Sequence, residues 1–226
     1  MVQTRQALIQ NTVGKKIIMA VTGALMVIFV IAHMVGNTLV FQGAKAINDY
    51  GWLLQEGTHG AVWGLRAVML AAVVLHVWAM VGIVGSQQSA RSSRYQYTRK
   101  NQATNYAAIT MKFGGPVLLL FIVYHLLHFT TGHVHSDFIR GDVYHNLVTG
   151  LSNPLLAGVY LVAQAALGLH LYHGIASGLQ TLGLPLRYDR LRRAGALATA
   201  LIVVGGNTAI VTYVQLIHLG IVQELP

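Results

Sequence analysis

Residues 17–40, which read IIMAVTGALMVIFVIAHMVGNTLV, decide the fold of this chain. The stretch has no charged residue, and about 20 helical residues are enough to cross the hydrocarbon core of a membrane. Four further apolar runs are long enough to do the same: 62–85, 113–131, 154–180 and 196–220. None of the five contains Asp or Glu. We therefore predict an all-α membrane protein, a single domain over residues 1–226 with five transmembrane helices.

The composition supports this prediction. Hydrophobic residues make up 54% of the chain and charged residues only 9%, whereas a soluble domain carries about 25% charge. Residues 1–14 are polar and lack a small-residue cleavage site, so we expect the first apolar run to be a retained helix. The chain has no cysteine, which excludes covalently attached c-type haem and thiolate-held iron–sulfur clusters.

Positive charge alternates between the connecting segments. The opposite side of the predicted bundle holds Lys45, Arg66, Arg140 and five of the six acids. The positive-inside rule then predicts a cytoplasmic N-terminus, an outside C-terminus and a multi-pass protein of the cell membrane. The net charge of +9 is thereby explained by topology and by contact with anionic lipid, and we expect no nucleic-acid partner. The side predicted to be cytoplasmic carries 12 of the 15 Lys and Arg residues: Arg5, Lys15, Lys16, Arg91, Arg94, Arg99, Lys100, Lys112, Arg187, Arg190, Arg192 and Arg193.

Histidine occurs inside four of the five predicted spans. A polar ring in a bilayer is costly and is usually functional. One such histidine alone could equally be bonded to a neighbouring helix, but four consecutive spans make that explanation much weaker. The residues are His33 in span one, His76 in span two, His125 and His128 in span three, and His170 and His173 in span four.

The depths of these histidines fall into two groups. By helical rise, His33 and His125 lie about 24 Å and 18 Å from the inner ends of their spans, in the outer half. His76 and His170 lie about 21 Å and 24 Å from the outer ends of theirs, in the inner half. The sequence therefore supplies one histidine pair near each face of the membrane.

Two stacked bis-histidine sites are what a di-haem cytochrome b requires, because neutral imidazole suits iron and two axial histidines leave no position for oxygen. His128 and His173 each lie three residues from a candidate ligand on a similar helix face, so either could replace its neighbour. Otherwise we expect them to hydrogen-bond a propionate, a quinone or another helix. Four glycines could let a flat macrocycle approach the backbone: Gly36, Gly82, Gly168 and Gly174.

Six motifs resemble the single-subunit, five-helix, di-haem cytochrome b anchor of succinate dehydrogenases and fumarate reductases, over roughly residues 12–185. The histidine order and spacing make this resemblance specific, although the fifth span carries no motif of the family. The motifs are GKKIIMAVTG (14–23), IAHMVGN (31–37), VVLHVW (73–78), LFIVYHLLHF (120–129), DVYHNLV (142–148) and LGLHLYHG (167–174).

The resemblance implies one ligand from each of the first four helices, with His33 and His125 on an outer haem and His76 and His170 on an inner haem. It also implies a bundle enclosing two b-type haems, and two partners on the cytoplasmic face: a flavoprotein that interconverts succinate and fumarate, and an iron–sulfur subunit. Electrons would pass from that subunit through the inner and outer haems to quinone, for which we expect menaquinone. The complex could also form a higher oligomer.

Several charged residues are candidates for contacts around these groups. Lys15 and Lys16 could meet the propionates of the inner haem, although snorkelling charges would look the same. Arg66 could serve the outer haem or a quinone. Relatives often place a quinone-site carboxylate between the first two helices, where this chain has Glu56, with His59 nearby as a proton carrier.

Two other functions remain open. One is a di-haem anchor for a different oxidoreductase, such as a formate dehydrogenase, hydrogenase or nitrate reductase, which only the motif resemblance separates from the first. The other is a histidine-lined transporter, which typically has intramembrane carboxylates or broken helices at a midplane site. A metal site formed by His133, His135 and His145 in an outer loop is a further, weaker alternative to solvated loop histidines.

Overall fold

A computed structural model describes residues 11–89, 106–183 and 186–223, and within these ranges the chain is helical with no strand. The basic residues Arg5, Arg91, Arg94, Arg99 and Lys100 lie outside them. Short 3₁₀ or π-helical turns extend some of the helices. In chain order the helices are α1 (Thr12–Asn37), α2 (Ala44–Trp52), α3 (Ala61–Ser89), α4 (Tyr106–His125), α5 (Val143–Ser152), α6 (Pro154–Thr181) and α7 (Asp189–His218).

Five helical segments are long and apolar enough to cross a membrane, which confirms the predicted all-helical, multi-pass character of the chain. Their outward faces carry large apolar side chains that are 62% to 71% exposed near mid-helix. Such a surface suits lipid better than water. These side chains are Ile28, Leu70, Leu120, Val162 and Ile202. The five segments are Thr12–Gln42, Ala61–Ser89, Phe113–Thr130, Pro154–Thr181 and Asp189–His218.

Helices α1, α4 and α7 begin earlier than the apolar runs suggest, and in α1 and α7 polar residues stabilise the first turn. The Asn11 side chain accepts a hydrogen bond from the Gly14 amide (2.6 Å), so α1 begins at Thr12. Helix α7 begins at Asp189 rather than near residue 196. The Asp189 carboxylate pairs with Arg192 and Arg193, and an acid is favourable at a helix N-terminus.

The long helices pack in a defined order. Helix α1 lies against α3 and α6, and α6 also contacts α4 and α7. In contrast, the backbones of α1 and α4 scarcely approach within 8 Å of each other over their described residues, and the same holds for α3 and α6. Within each of these two pairs, the helices therefore face each other across a gap that only side chains bridge. Four alanines of these helices are buried, as is common where membrane helices pack closely: Ala72, Ala79, Ala163 and Ala200.

The short helices α2 and α5 cover one end of the bundle, which we call the capped end. Asn48 on α2 donates to the Asp142 carboxylate (3.0 Å) and accepts from the Tyr144 amide (2.9 Å), which ties α2 to the start of α5. Val40, Ile47, Tyr144 and Ile210 form an apolar core beneath them. The other end, which carries Lys15, Lys16 and residues 187–193, is the basic end.

Candidate functional site

His76 on α3 and His170 on α6 meet across the gap between those helices, with ring centroids 6.2 Å apart. The Thr22 hydroxyl donates to the Ile18 carbonyl (2.7 Å) and lies 3.2 Å from His76 Nδ1. Because its hydrogen is committed to that carbonyl, the hydroxyl accepts the bond from His76 Nδ1–H. Nε2 of His76 is thus the unprotonated nitrogen, the form in which imidazole binds a metal.

His33 on α1 and His125 on α4 meet across the other gap, with centroids 5.8 Å apart and ring planes at 86°. Phe29 stacks on the His33 ring at 5.5 Å. The Asn37 amide donates to His33 Nε2 (3.2 Å). A metal bound at that nitrogen therefore requires the Asn37 side chain to turn away.

The two ring pairs lie at different depths. His76 contacts α1 at Thr22, which is about 16 Å along the helix from His33. His125 contacts α6 at Tyr160, which is about 15 Å along that helix from His170. Two separate helices thus give the same separation, with His33 and His125 nearer the capped end.

The ring pairs fit a bis-histidine haem. A metal–nitrogen bond of about 2 Å on each side places two axial imidazole centroids about 6 Å apart. Ordinary aromatic contacts also span about 4.5–7 Å, so the separation permits a metal but does not require one. Two further observations favour it: the backbones of the helices in each pair scarcely approach within 8 Å of each other, and His170 Nδ1 is buried without a hydrogen-bond partner in the structure.

His128 and His173 are not the rings that meet across the gaps. His128 is only 1% exposed, bonds the Tyr160 hydroxyl through Nδ1 (2.9 Å) and lies against the ring of His135 at 5.0 Å. It belongs to a π-helical turn, Leu126–Thr130, which changes its angular offset from His125. Among the described ring contacts His173 has none with His76.

Tyr160 and Thr22 are the site residues that sequence reasoning missed. The Tyr160 hydroxyl lies between His128 Nδ1 and His125 Nδ1, at 2.9 Å and 3.4 Å. Both residues carry a hydroxyl within an apolar helix, which is the signal that could have identified them. Which histidine each hydroxyl meets depends on the helix packing.

Beside three of the four glycines expected to make room for a macrocycle, a side chain from another element fills the space. The expectation was therefore wrong for those three. A Cβ on Gly36 would meet the Tyr50 ring at 2.5 Å, and one on Gly168 would meet Val204 at 2.9 Å. A Cβ on Gly82 would lie 2.9 Å from Lys15 Nζ. Of the four, only Gly174 has no side chain within 4 Å of an added Cβ.

The Lys15 side chain, on α1, packs against α3 at the basic end. Its Nζ lies 5.9 Å from the centre of the Trp78 ring and close to Gly82, about 10 Å along the helix from the level of Thr22 and His76. Lys16 is exposed and makes no such contact. The two lysines therefore differ: Lys15 lies against α3, the helix that carries His76, whereas Lys16 is exposed.

The other predicted contacts lie at the capped end. Arg66 is exposed, with its guanidinium 4.6 Å from the centre of the Trp63 ring. Glu56 and His59 are exposed in the segment that joins α2 to α3, and His59 has a positive φ of 48°. The structure gives neither side chain a hydrogen bond that ties it to the ring pairs.

The three histidines between α4 and the first turn of α5 have separate partners. His133 bonds Thr131, His135 bonds the Asn146 carbonyl, and His145 lies 3.0 Å from the Asp137 carboxylate. Within the part of the chain that the structure describes, no group of three or more His, Cys, Asp or Glu side chains could hold a metal. The geometry thus gives no support to a metal site in this loop.

Comparison with known proteins adds no assignment. Neither protein-family models, curated proteins nor solved structures match this chain. The arguments for function are therefore its motifs and the geometry of the ring pairs.

Proposed function

We propose that this chain is the di-haem cytochrome b membrane anchor of a succinate:quinone oxidoreductase, in the cell membrane with its N-terminus in the cytoplasm. The observation that carries the haem part is the pair of histidine contacts at two depths, each between helices whose described backbones scarcely approach within 8 Å of each other. The motif resemblance supports the particular enzyme. The dicarboxylate chemistry would belong to a partner flavoprotein.

His33 with His125, and His76 with His170, would hold the two haems. A haem with two axial histidines, when bound, carries single electrons and offers no open position to oxygen. The protein supplies four neutral imidazoles and an apolar bundle that excludes water. It also places the Thr22 hydroxyl on Nδ1 of His76 and the Tyr160 hydroxyl on Nδ1 of His125. Lys15 would donate to a propionate at the basic end.

The basic end would receive the iron–sulfur subunit, and the capped end would meet menaquinone. Lys15, Lys16 and the arginines of residues 187–193 make the basic end attractive to an acidic protein surface as well as to lipid phosphates. At the capped end, Glu56 and His59 are exposed where a quinone headgroup could reach them and exchange protons with water.

Purification of the complex from native membranes, followed by haem quantification, tests the proposal. We expect two haems per chain, a flavoprotein and an iron–sulfur protein in the preparation, and reduction of both haems by succinate. Reduction by formate or hydrogen but never by succinate would assign the chain to another oxidoreductase. A colourless, haem-free preparation would overturn the proposal.

Substitution of the two basic-end lysines tests the proposed propionate contact. Lys15→Gln should shift the spectrum or potential of the haem held by His76 and His170, because Lys15, unlike Lys16, packs against α3, the helix that carries His76. Lys16→Gln, which removes an equal charge from an exposed neighbour, should leave it unchanged. Equal effects of the two variants would show that only the surface charge matters.

A further inference from the structure

We infer that Thr22 and Tyr160 are paired positioning residues, each hydroxyl setting the hydrogen bonding of one ligand histidine and hence the redox potential of one haem. This inference rests on the proposed function. It assigns a role to two residues for which the sequence predicted none, and it gives each of them a separate target: Thr22 acts on His76, and Tyr160 acts on His125.

Thr22 is fixed as an acceptor. The residue is 5% exposed, and its hydroxyl lies 2.7 Å from the Ile18 carbonyl and 3.2 Å from the Met19 carbonyl, so its hydrogen points into its own helix. The oxygen lone pair that remains faces His76 Nδ1. A Cβ on Gly23 would lie 3.4 Å from His76 Cε1, so the imidazole sits closely over this turn of α1.

Tyr160 is fixed by a second histidine. Its hydroxyl is 2.9 Å from His128 Nδ1 and 3.4 Å from His125 Nδ1. A His125 that binds metal through Nε2 keeps its proton on Nδ1 and donates it to the Tyr160 oxygen. The Tyr160 hydroxyl hydrogen therefore goes to the shorter bond, in which His128 Nδ1 accepts it. The order of donation is then His125 to Tyr160 to His128.

His128 is in turn held by burial. Its ring is 1% exposed and lies between Phe129, at 4.2 Å, and His135, at 5.0 Å. The ring of His135 is itself anchored, since its Nδ1 accepts from the Asp137 amide (3.1 Å) and its Nε2 donates to the Asn146 carbonyl (2.9 Å). The buried pair His128 and His135 thus serves to hold Tyr160, which explains why histidines lie beside the ring pair without meeting across the gap.

A hydrogen-bond acceptor for the Nδ1–H of a ligand histidine makes its imidazole a stronger electron donor, and this favours the oxidised iron. Removal of either hydroxyl should therefore raise the midpoint potential of one haem and leave the other unchanged.

The test is a redox titration with low-temperature electron paramagnetic resonance on the purified complex. Thr22→Val should raise the potential of the His76 and His170 haem only, Thr22→Ser should restore it, and Tyr160→Phe should raise that of the His33 and His125 haem only. Thr199→Val is the matched control for the first variant, since Thr199 makes the same backward bond to a carbonyl (2.9 Å) in α7. Tyr213→Phe is the control for the second, since the Tyr213 ring packs on Phe41 (5.0 Å) in the described ring contacts and on none of these histidines.

Selective loss of one haem in Thr22→Val or Tyr160→Phe, with the other haem retained, would also support the inference. Unchanged potentials and resonances in both variants, or equal changes in both haems, would overturn it while two haems are still bound. Absence of haem from the unsubstituted protein would instead reject the proposed function, so the two failures are distinguishable.

Discussion

Replacement of Gly150 by alanine tests the packing that supports the site at the capped end. A methyl group there would lie 2.8 Å from His135 Nε2, 2.9 Å from Phe129 Cε1 and 3.1 Å from His128 Cε1. The rings cannot easily retreat, because His128 is 1% exposed and His135 is hydrogen-bonded on both nitrogens. The added group must therefore displace a ring or the helix α5.

The expected magnitude follows from two opposing terms. Overpacking of a buried site costs about 1–3 kcal/mol, whereas alanine in place of glycine in a helix returns about 0.5–1 kcal/mol. The net effect is a loss of up to about 2.5 kcal/mol in the free energy of unfolding. For a chain of this size each kcal/mol corresponds to about 2–4 °C, so the melting temperature should fall by up to about 10 °C.

Thermal unfolding of the detergent-solubilised protein measures this change. Gly158→Ala is the matched control, since Gly158 also lies in a helix but an added Cβ there meets nothing within 4 Å. We expect the control to melt at or slightly above the unsubstituted protein. A Gly150→Ala variant as stable as Gly158→Ala would refute the crowding of the three rings, and with it the support proposed for Tyr160.

Three further predictions concern other contacts. Asp189→Asn should lower stability by more than Asp49→Asn does, because Arg192 is 4% exposed and loses its charge partner. Asp49→Asn, which breaks an exposed pair with Lys45, should cost under about 1 kcal/mol, and equal losses in thermal unfolding would contradict the difference. Asn48→Ala should cost about 1–3 kcal/mol and speed hydrogen exchange at the Tyr144 amide, which loses its acceptor; unchanged exchange would show that Asn48 does not tie α2 to α5. Glu56→Gln should slow quinone turnover while both haem spectra stay intact, and normal turnover would remove Glu56 from the quinone site.

The sequence was sufficient to predict the spans. A run such as 17–40 has one stable structure in a membrane, because every backbone polar group must be bonded within its own helix. The short helices α2 and α5 were missed because they are held by tertiary contacts. Asn48 joins them by bonding the Asp142 side chain and the Tyr144 amide, which both lie almost a hundred residues further along the chain.

The site was predictable only where depth decides it. Helical rise places His33 and His125 at one level and His76 and His170 at another, and these are the rings that the structure brings together. Rise alone could not separate His125 from His128, which depends on a π-helical turn and on a partner from α6. The glycines failed as indicators because Tyr50, Lys15 and Val204 reach three of them from other elements.

The most direct test of the account counts haems and records their spectra in the purified protein and in four single variants, His33→Ala, His76→Ala, His125→Ala and His170→Ala. We predict two haems in the unsubstituted protein and one in each variant. His33→Ala and His125→Ala should lose the same spectral component, and His76→Ala and His170→Ala should lose the other. Protein without haem, or a component shared by His33 and His76, would contradict the account.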